Sequence, residues 1–219
     1  MYYPINLNDT KIYPLFGSFL KGEPYIFDFS SNNPKTLVYD LTDFEQFDNL
    51  IFDELKESTH QWGIGKYLEE RKTILRCSPN IIKEGRYYHL GLDIVVPFDT
   101  PMFAPLDGEV FKVGKETIPG NYGGYLILKH EVQDVTFYSL YGHLKTPHLV
   151  SLGKKVKAGQ EFARIGKEAD SGGWFCHVHL QILTQDAIDD GYADWGYISP
   201  ALMPKVEKYF PSPYFLFKY

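Results

Sequence analysis

Cysteine is scarce in this chain of 219 residues: Cys77 and Cys176 are the only two. Two cannot build a disulfide framework, and a domain of this size needs none, so a reducing compartment is expected. No stretch of 18 apolar residues occurs, which excludes a membrane-spanning helix on length. The segment MYYPINLNDTKIYPLFGSF has no basic run followed by an uninterrupted apolar one and does not read as a secretory signal. A cytoplasmic location is therefore expected. Runs of Lys or Arg are missing too: 22 basic against 28 acidic residues give a formal charge of −6, with no basic track for a phosphate backbone. Neither nucleic acid nor a membrane is expected as a partner. No internal repeat or low-complexity linker marks a domain boundary.

Aromatic residues are plentiful, with 17 Tyr and 16 Phe, as suits strands with half-buried faces. Residues 1–40 hold short aromatic or β-branched runs, PYIFDF and TLVYDL, that read as strands between turns. One helix follows: Thr42 and Glu45 fit a capping box, and Phe44, Phe47, Leu50, Ile51 and Leu55 recur at helical spacing as far as Ser58. From Ile74 onward the segments HLGLDIVVP, GEVFKV, GYLILKH, VTFYSLYG, EFARIG and HVHLQIL alternate with turn signals, which predicts an antiparallel sandwich or barrel.

Seven histidines, His60, His89, His130, His143, His148, His177 and His179, are the first candidates for chemistry, since imidazole serves both as metal ligand and as acid–base group. In HVHLQIL, Val178, Leu180 and Ile182 alternate with His177, His179 and Gln181. A strand sends the apolar set into a core and both histidines to the other face. In HLGLD, His89 and Asp93 are even-spaced and share a face in the same way. Chance supplies about 0.2 His-x-His pairs and about 0.5 HxxxD matches in such a chain, so neither motif is specific by itself. The second HxxxD, His130 to Asp134, straddles the turn between GYLILKH and VTFYSLYG and reads as a decoy. His89, Asp93 and one histidine of the HVH pair make two imidazoles and a carboxylate, which suits Zn²⁺ with a fourth position left for water. No HExxH helix supplies a glutamate, so the unassigned histidine of the pair and His143, in YSLYGHL, are the remaining proton-transfer groups.

HLGLD at 89–93, YGHL at 141–144 and HVH at 177–179, in this order, with TPMFAPLDGEV, GGYLILKH and VKAGQEFARIG between them, resemble the LytM/lysostaphin-type zinc metallopeptidases. The resemblance covers residues 86–184. It implies a mainly β fold, a twisted antiparallel sheet or sandwich with a groove across it. It also implies that His89, Asp93 and His179 are zinc ligands and that His143 and His177 are the catalytic histidines of a metalloendopeptidase. The substrates implied are small peptides or peptidoglycan-derived fragments. Residues 1–85 then form an N-terminal elaboration packed on this core through the helix at 43–57, and residues 185–219 an irregular C-terminal wrap.

The chain departs from the family before the HxH: Gly173 is followed by Trp174, Phe175 and Cys176 where Gly-Pro is usual, so bulky groups are expected at the groove edge. Cys176, as the strand neighbour of His177, is expected to be packed and inert. GIGKYLEER (63–71) resembles the lead-in of a subgroup whose peptidase-like domain is sometimes fused to a small-molecule kinase and an aminotransferase. GNYGGY (120–125) reads as a turn or groove-side loop, and Tyr87 or Tyr88 is a candidate hydrogen-bond donor to an oxyanion. His60 ends a helix, where an imidazolium suits the dipole, and His148 carries no expectation. A competing reading comes from VKAGQEFARIG, which also resembles biotin/lipoyl-type hybrid folds and phosphotransfer domains. It implies a phospho-histidine carrier or an inactive binding module, neither of which needs Asp93 or the HVH pair.

Overall fold

The strand HVHLQILT organises the molecule in the computed structural model, which describes residues 10–219. The first nine residues of the segment read for a secretory signal lie outside that range. The described strands are β1 (Tyr25–Ile26), β2 (Gly63–Gly65), β3 (Tyr88–His89), β4 (Leu92–Val95), β5 (Pro101–Phe103), β6 (Gly108–Lys115), β7 (Gly124–Val132), β8 (Val135–Gly142), β9 (Lys155–Val156), β10 (Glu161–Arg164), β11 (His177–Thr184) and β12 (Tyr197–Ile198). The α-helices are α1 (Phe44–Glu57), α2 (Pro79–Lys83), α3 (Gln185–Asp189) and α4 (Val206–Tyr209). Eight strands form one sheet in the order β1-β2-β4-β11-β8-β7-β6-β9. Every pairing in it is antiparallel except the parallel edge pair of β1 with β2. Two small sheets, β10 with β5 and β12 with β3, complete a mainly β fold, as expected. No helix among the described residues is long and apolar enough to cross a membrane.

Central β11 follows from its alternation. Val178, Leu180 and Ile182 are fully buried in the principal core with Leu92, Ile94 and Leu128, which leaves His177, His179 and Gln181 on the opposite face. A slip of one residue would exchange the two sets, so burial of the apolar set fixes the register. That register places His179 opposite Asp93 on β4 and opposite Gly142 on β8.

The helix begins at Phe44, but its cap differs from the expected Thr42–Glu45 box. Asp43 accepts the Gln46 N–H at 3.0 Å, while Thr42 is turned away, its hydroxyl donating to Asp40 at 2.7 Å. Helix α1 buries Phe47, Ile51 and Leu55 in a second apolar cluster. Phe47 stacks on Tyr39 at 4.9 Å and meets Phe175 edge-on at 5.0 Å, so the helix is packed directly on the residues leading into β11. Of the expected early strands, PYIFDF pairs only at Tyr25–Ile26, and TLVYDL enters no sheet. Pro34 starts a short 3₁₀ turn there, and the Asn33 side chain accepts the Lys35 N–H, so local capping replaces a ladder.

Residues 185–219 are more ordered than an irregular wrap. They form α3, β12 and α4, and Ile198, Val206 and Phe210 are buried in a third cluster with Ile127, Leu140 and Leu183. Elements of two to five residues are too short to show a period in sequence. The packing gives a test of the second cluster: Phe47→Ala should cost about 3–5 kcal/mol of unfolding free energy in urea denaturation. A loss under 1 kcal/mol would show that α1 is not integral to the core.

Candidate metal centre

His89 closes β3 and Asp93 lies on β4, separated by Leu90, Gly91 and Leu92, whose leucines are buried in two different apolar clusters. Gly91 occupies the only kind of position that this crowding allows, because a Cβ there would lie 2.5 Å from the His179 ring. The HLGLD segment thus supplies two polar groups and, between them, the space for a third.

Hydrogen bonds at the far side of each ring set the tautomers. His89 Nδ1 donates to the Lys66 carbonyl at 2.9 Å, leaving Nε2 without a proton. Gln181 Nε2 donates to the Trp195 carbonyl at 2.9 Å, which turns Oε1 toward His179. His179 Nε2 donates to that oxygen at 2.9 Å, leaving Nδ1 free. The two proton-free nitrogens face each other at 2.9 Å, and Asp93 Oδ1 lies 3.1 Å from the first and 3.4 Å from the second. Asp93 Oδ1 is buried and has no hydrogen-bond donor. Three lone-pair donors converging at this range on side chains at most 3% exposed repel one another unless a cation lies between them. The donor set of two imidazole nitrogens and one carboxylate oxygen fits Zn²⁺.

Two further imidazoles flank this corner. His143 follows β8 with a left-handed backbone (φ +62°), held by its N–H to the Tyr122 carbonyl at 2.7 Å and by Gly166 N–H to its own carbonyl at 2.8 Å. Its Nδ1 donates to the Ser171 carbonyl at 2.7 Å, and His177 Nδ1 donates to the Phe175 carbonyl at 2.8 Å. Both Nε2 atoms are therefore open acceptors, with the rings 4.4 Å apart and His177 Nε2 3.5 Å from Asp93 Oδ1. All five groups are at most 4% exposed. They line, or lie directly beneath, a cavity of about 280 Å³ walled by Tyr122, Trp174, Trp195, Tyr197, Ile81 and Arg86.

Burial governs the electrostatics. It pushes His89 down to about 3, with the Arg71 guanidinium adding to the effect. His143 is held well below the ordinary imidazole range by burial and by the facing His177 and His179. Burial alone would push the Asp93 carboxyl up, but the positive charge that His89, Arg71 and His177 can place beside it outweighs burial and holds the group well below the carboxylate range. Tyr122 and Tyr197 are both pushed up by burial, so their phenols remain protonated donors in the cavity wall.

The structure thus brings together His89, Asp93, His143, His177 and His179, and separates the other histidines from them. His130 is buried on β7 between the Asp107 carbonyl and the Ser139 hydroxyl, with Asp134 in the β7–β8 turn. His60 is exposed beside Ser58, and His148 Nε2 donates to the Gly114 carbonyl. Cys176 is buried in the principal core, where burial pushes its thiol up. Two expectations are corrected. Trp174 lines the cavity while also packing on Phe47, but Phe175 is buried in the second cluster, against Phe29 at 5.3 Å and stacked on the His177 ring at 4.4 Å, so it supports that ring instead of bordering the groove. Neither Tyr87 nor Tyr88 lines the cavity; Tyr122, from the GNYGGY loop, and Tyr197, from β12, do. Sequence reasoning also missed Arg71, whose Nη1 donates to Asp93 Oδ2 at 2.6 Å. Gln181 had a visible signal, the next even position after His177 and His179.

Residues 87–190 match peptidase family M23. The chain is 35% identical over 94 residues to an uncharacterized metalloprotease of Haemophilus influenzae, covering 43% of this chain and 18% of that protein. It is 34% identical over 95 residues to the peptidoglycan DD-endopeptidase ShyC of Vibrio cholerae, covering 43% of this chain and 20% of that protein. Among solved structures, a zinc containing peptidase from Vibrio cholerae aligns over 46% of this chain and 28% of its own, at 29% identity and a TM-score of 0.36. The chain thus spans about a fifth of the length of these two curated relatives.

The buried neutral imidazoles set the acid response of the metal-free protein. His89 and His130 are pushed down to about 3 and about 4, while their unfolded value is 6.5. Between these limits the unfolded chain binds more protons, so stability falls as pH falls, by up to about 1.4 kcal/mol per pH unit for each histidine. Urea melts in EDTA from pH 7 to pH 4 should show that decline, and a midpoint independent of pH would contradict the burial of these rings.

Proposed function

We infer, from the match of residues 87–190 to peptidase family M23, a zinc-dependent endopeptidase that hydrolyses small peptides or peptidoglycan-derived fragments. The observation that carries this reading is the meeting of three proton-free donor atoms, His89 Nε2, His179 Nδ1 and Asp93 Oδ1, beneath a cavity flanked by two more imidazoles. His89, Asp93 and His179 would hold the ion, which when bound supplies Lewis acidity toward a carbonyl oxygen and toward water at neutral pH.

The chain's own groups do the rest. Hydrolysis of a peptide bond removes one proton from water and delivers one to the leaving nitrogen. His143 Nε2 and His177 Nε2, each on a ring whose Nδ1–H is held by a main-chain carbonyl, are the groups placed to take and return it. Their Nδ1–H groups are held by main-chain carbonyls, so the rings keep their orientation as charge develops. The phenols of Tyr122 and Tyr197 stay protonated in the cavity wall, that of Tyr122 donating to Gln181 Oε1 at 3.4 Å.

A cavity of about 280 Å³ supports a short, flexible substrate. The formal charge of −6 supports it as well, since an anionic wall polymer gains no attraction to such a surface. Peptidoglycan enters the proposal through the name of the relative ShyC. A cytosolic location belongs to the same proposal, supported by two free thiols, Cys77 and Cys176. Fractionation that finds the untagged protein in the periplasm or medium would remove that part alone.

Elemental analysis after zinc-replete expression should find about one zinc per chain, lost on replacing His89, Asp93 or His179 by Ala. His143→Ala and His177→Ala should keep the ion and lose about 10²–10⁴-fold in rate on soluble peptides. Metal-free protein from that expression would sink the proposal. With the His177→Ala protein as blank, muropeptides should be cut faster than intact sacculi at equal bond concentration; the reverse order would refute the substrate class and leave the zinc chemistry standing.

A further inference from the structure

The segment GIGKYLEER, residues 63–71, lies outside the stretch matched to the family, yet the groups behind His89 and Asp93, two of the three metal ligands, come from it. Strand β2 pairs with β4 so that Gly65 is opposite Asp93. The Lys66 carbonyl accepts His89 Nδ1–H at 2.9 Å. The His89 main chain is held on both sides, its N–H donating to the Glu69 carbonyl at 3.0 Å and its carbonyl accepting the Leu68 N–H at 2.7 Å. Arg71 then reaches back to Asp93 Oδ2 with Nη1 at 2.6 Å while its Nε donates to Glu69 Oε2 at 3.1 Å. Glu69 is fixed in turn, its Oε1 accepting the Phe29 N–H at 3.1 Å and pairing with Lys66 Nζ at 3.1 Å. The guanidinium also lies over the Phe29 ring at 5.0 Å. Gly65 makes the close approach possible: a Cβ there would be 2.8 Å from Arg71 Nη2 and 3.0 Å from Asp93 Oδ2.

We propose that residues 63–71 are the outer shell of the metal centre and that Arg71 is a positioning residue, holding Asp93 Oδ2 so that Oδ1 alone is offered to the ion. This rests on the metal reading above. An aspartate can bind a cation through one oxygen or both, and both would fill the position that an open catalytic site keeps for substrate or water. Arg71 removes that choice. Its side chain is 1% exposed, so water does not compete for the contact. Its planar fork spans two carboxylates at once, which a lysine ammonium cannot do in one geometry. A bare charge effect would act in the opposite direction, since a cation 2.6 Å from a ligand oxygen weakens attraction to another cation. Variants that conserve the net charge therefore isolate positioning, and weaker metal binding in them is not a charge effect.

The test uses the full chain, wild type beside Arg71→Lys and the double variant Glu69→Gln/Arg71→Met, which removes a positive and a negative charge together. Zinc affinity is read by chelator competition, the coordination number from the visible spectrum of the cobalt(II)-substituted protein, and folding from circular-dichroism melts in EDTA. Both variants should bind zinc about 10–100-fold more weakly, and any cobalt they retain should lose the intense absorption of a four-coordinate ion. Unchanged affinity with an unchanged cobalt spectrum in a folded variant would overturn the proposal, as would tighter zinc binding. If neither variant folds, Arg71 serves the fold rather than the ion and the proposal fails. Wild-type protein that takes up neither ion would instead refute the metal reading itself, a result the variants cannot mimic.

Discussion

A carboxylate 1% exposed to solvent is the constraint around which this structure is arranged. Moving such a charge out of water costs several kcal/mol, and a partner is needed for each of its oxygens. Arg71 takes Oδ2 of Asp93, while Oδ1 faces His89, His177 and His179 at 3.1, 3.5 and 3.4 Å. The protein itself meets half of the requirement, and the other half is what a cation at this corner would meet. Without one, the corner holds an unpaired oxygen and two nitrogen lone pairs at close range, an arrangement that lowers stability while preparing a binding site.

That arrangement depends on register more than on any single contact. Because His179 is paired opposite Asp93 and the leucines on either side of Gly91 are buried, no donor can shift without moving an apolar residue out of a packed core. Outer hydrogen bonds to Lys66, Phe175, Ser171 and Gln181 then give each imidazole one open nitrogen. Rotation of a ring would break a bond to a buried acceptor, at a cost of about 1–3 kcal/mol. The site is thus preorganised by backbone placement first and by side-chain partners second.

How far this was legible in sequence follows from distance along the chain. His177, His179 and Gln181 alternate with three apolar residues, and His89 and Asp93 are even-spaced in HLGLD, so local periodicity was enough to put each set on one face. That the two sets meet was carried by the family resemblance, and the β4–β11 pairing shows the physical contact. Arg71 is 22 positions from Asp93, and Tyr197 reaches the cavity from a two-residue strand, so no pattern within a segment announces either. Likewise TLVYDL has strand composition, but Pro34 and Asn33 bind its backbone locally. Long-range pairing and side-chain capping, rather than propensity, decided these positions.

The parts outside residues 87–190 are joined to the chemistry by named contacts. Asp48 on α1 accepts the Cys176 N–H at 2.7 Å, one residue before His177, and Phe47 on the same helix packs against Trp174 and Phe175. From the other end, β12 pairs Tyr197 with His89, and Trp195 supplies the carbonyl that orients Gln181 behind His179. The N-terminal helix thus bears on the entry to β11, and the C-terminal segment bears on two of the three donor residues. Ile81 and Arg86 form one part of the cavity wall and Trp195 and Tyr197 another, so the size of the cavity is set by segments flanking most of the core. A centre whose floor comes from a central sheet and whose walls come from flanking segments can change what it admits while the floor stays the same, because the two answer to different packing constraints.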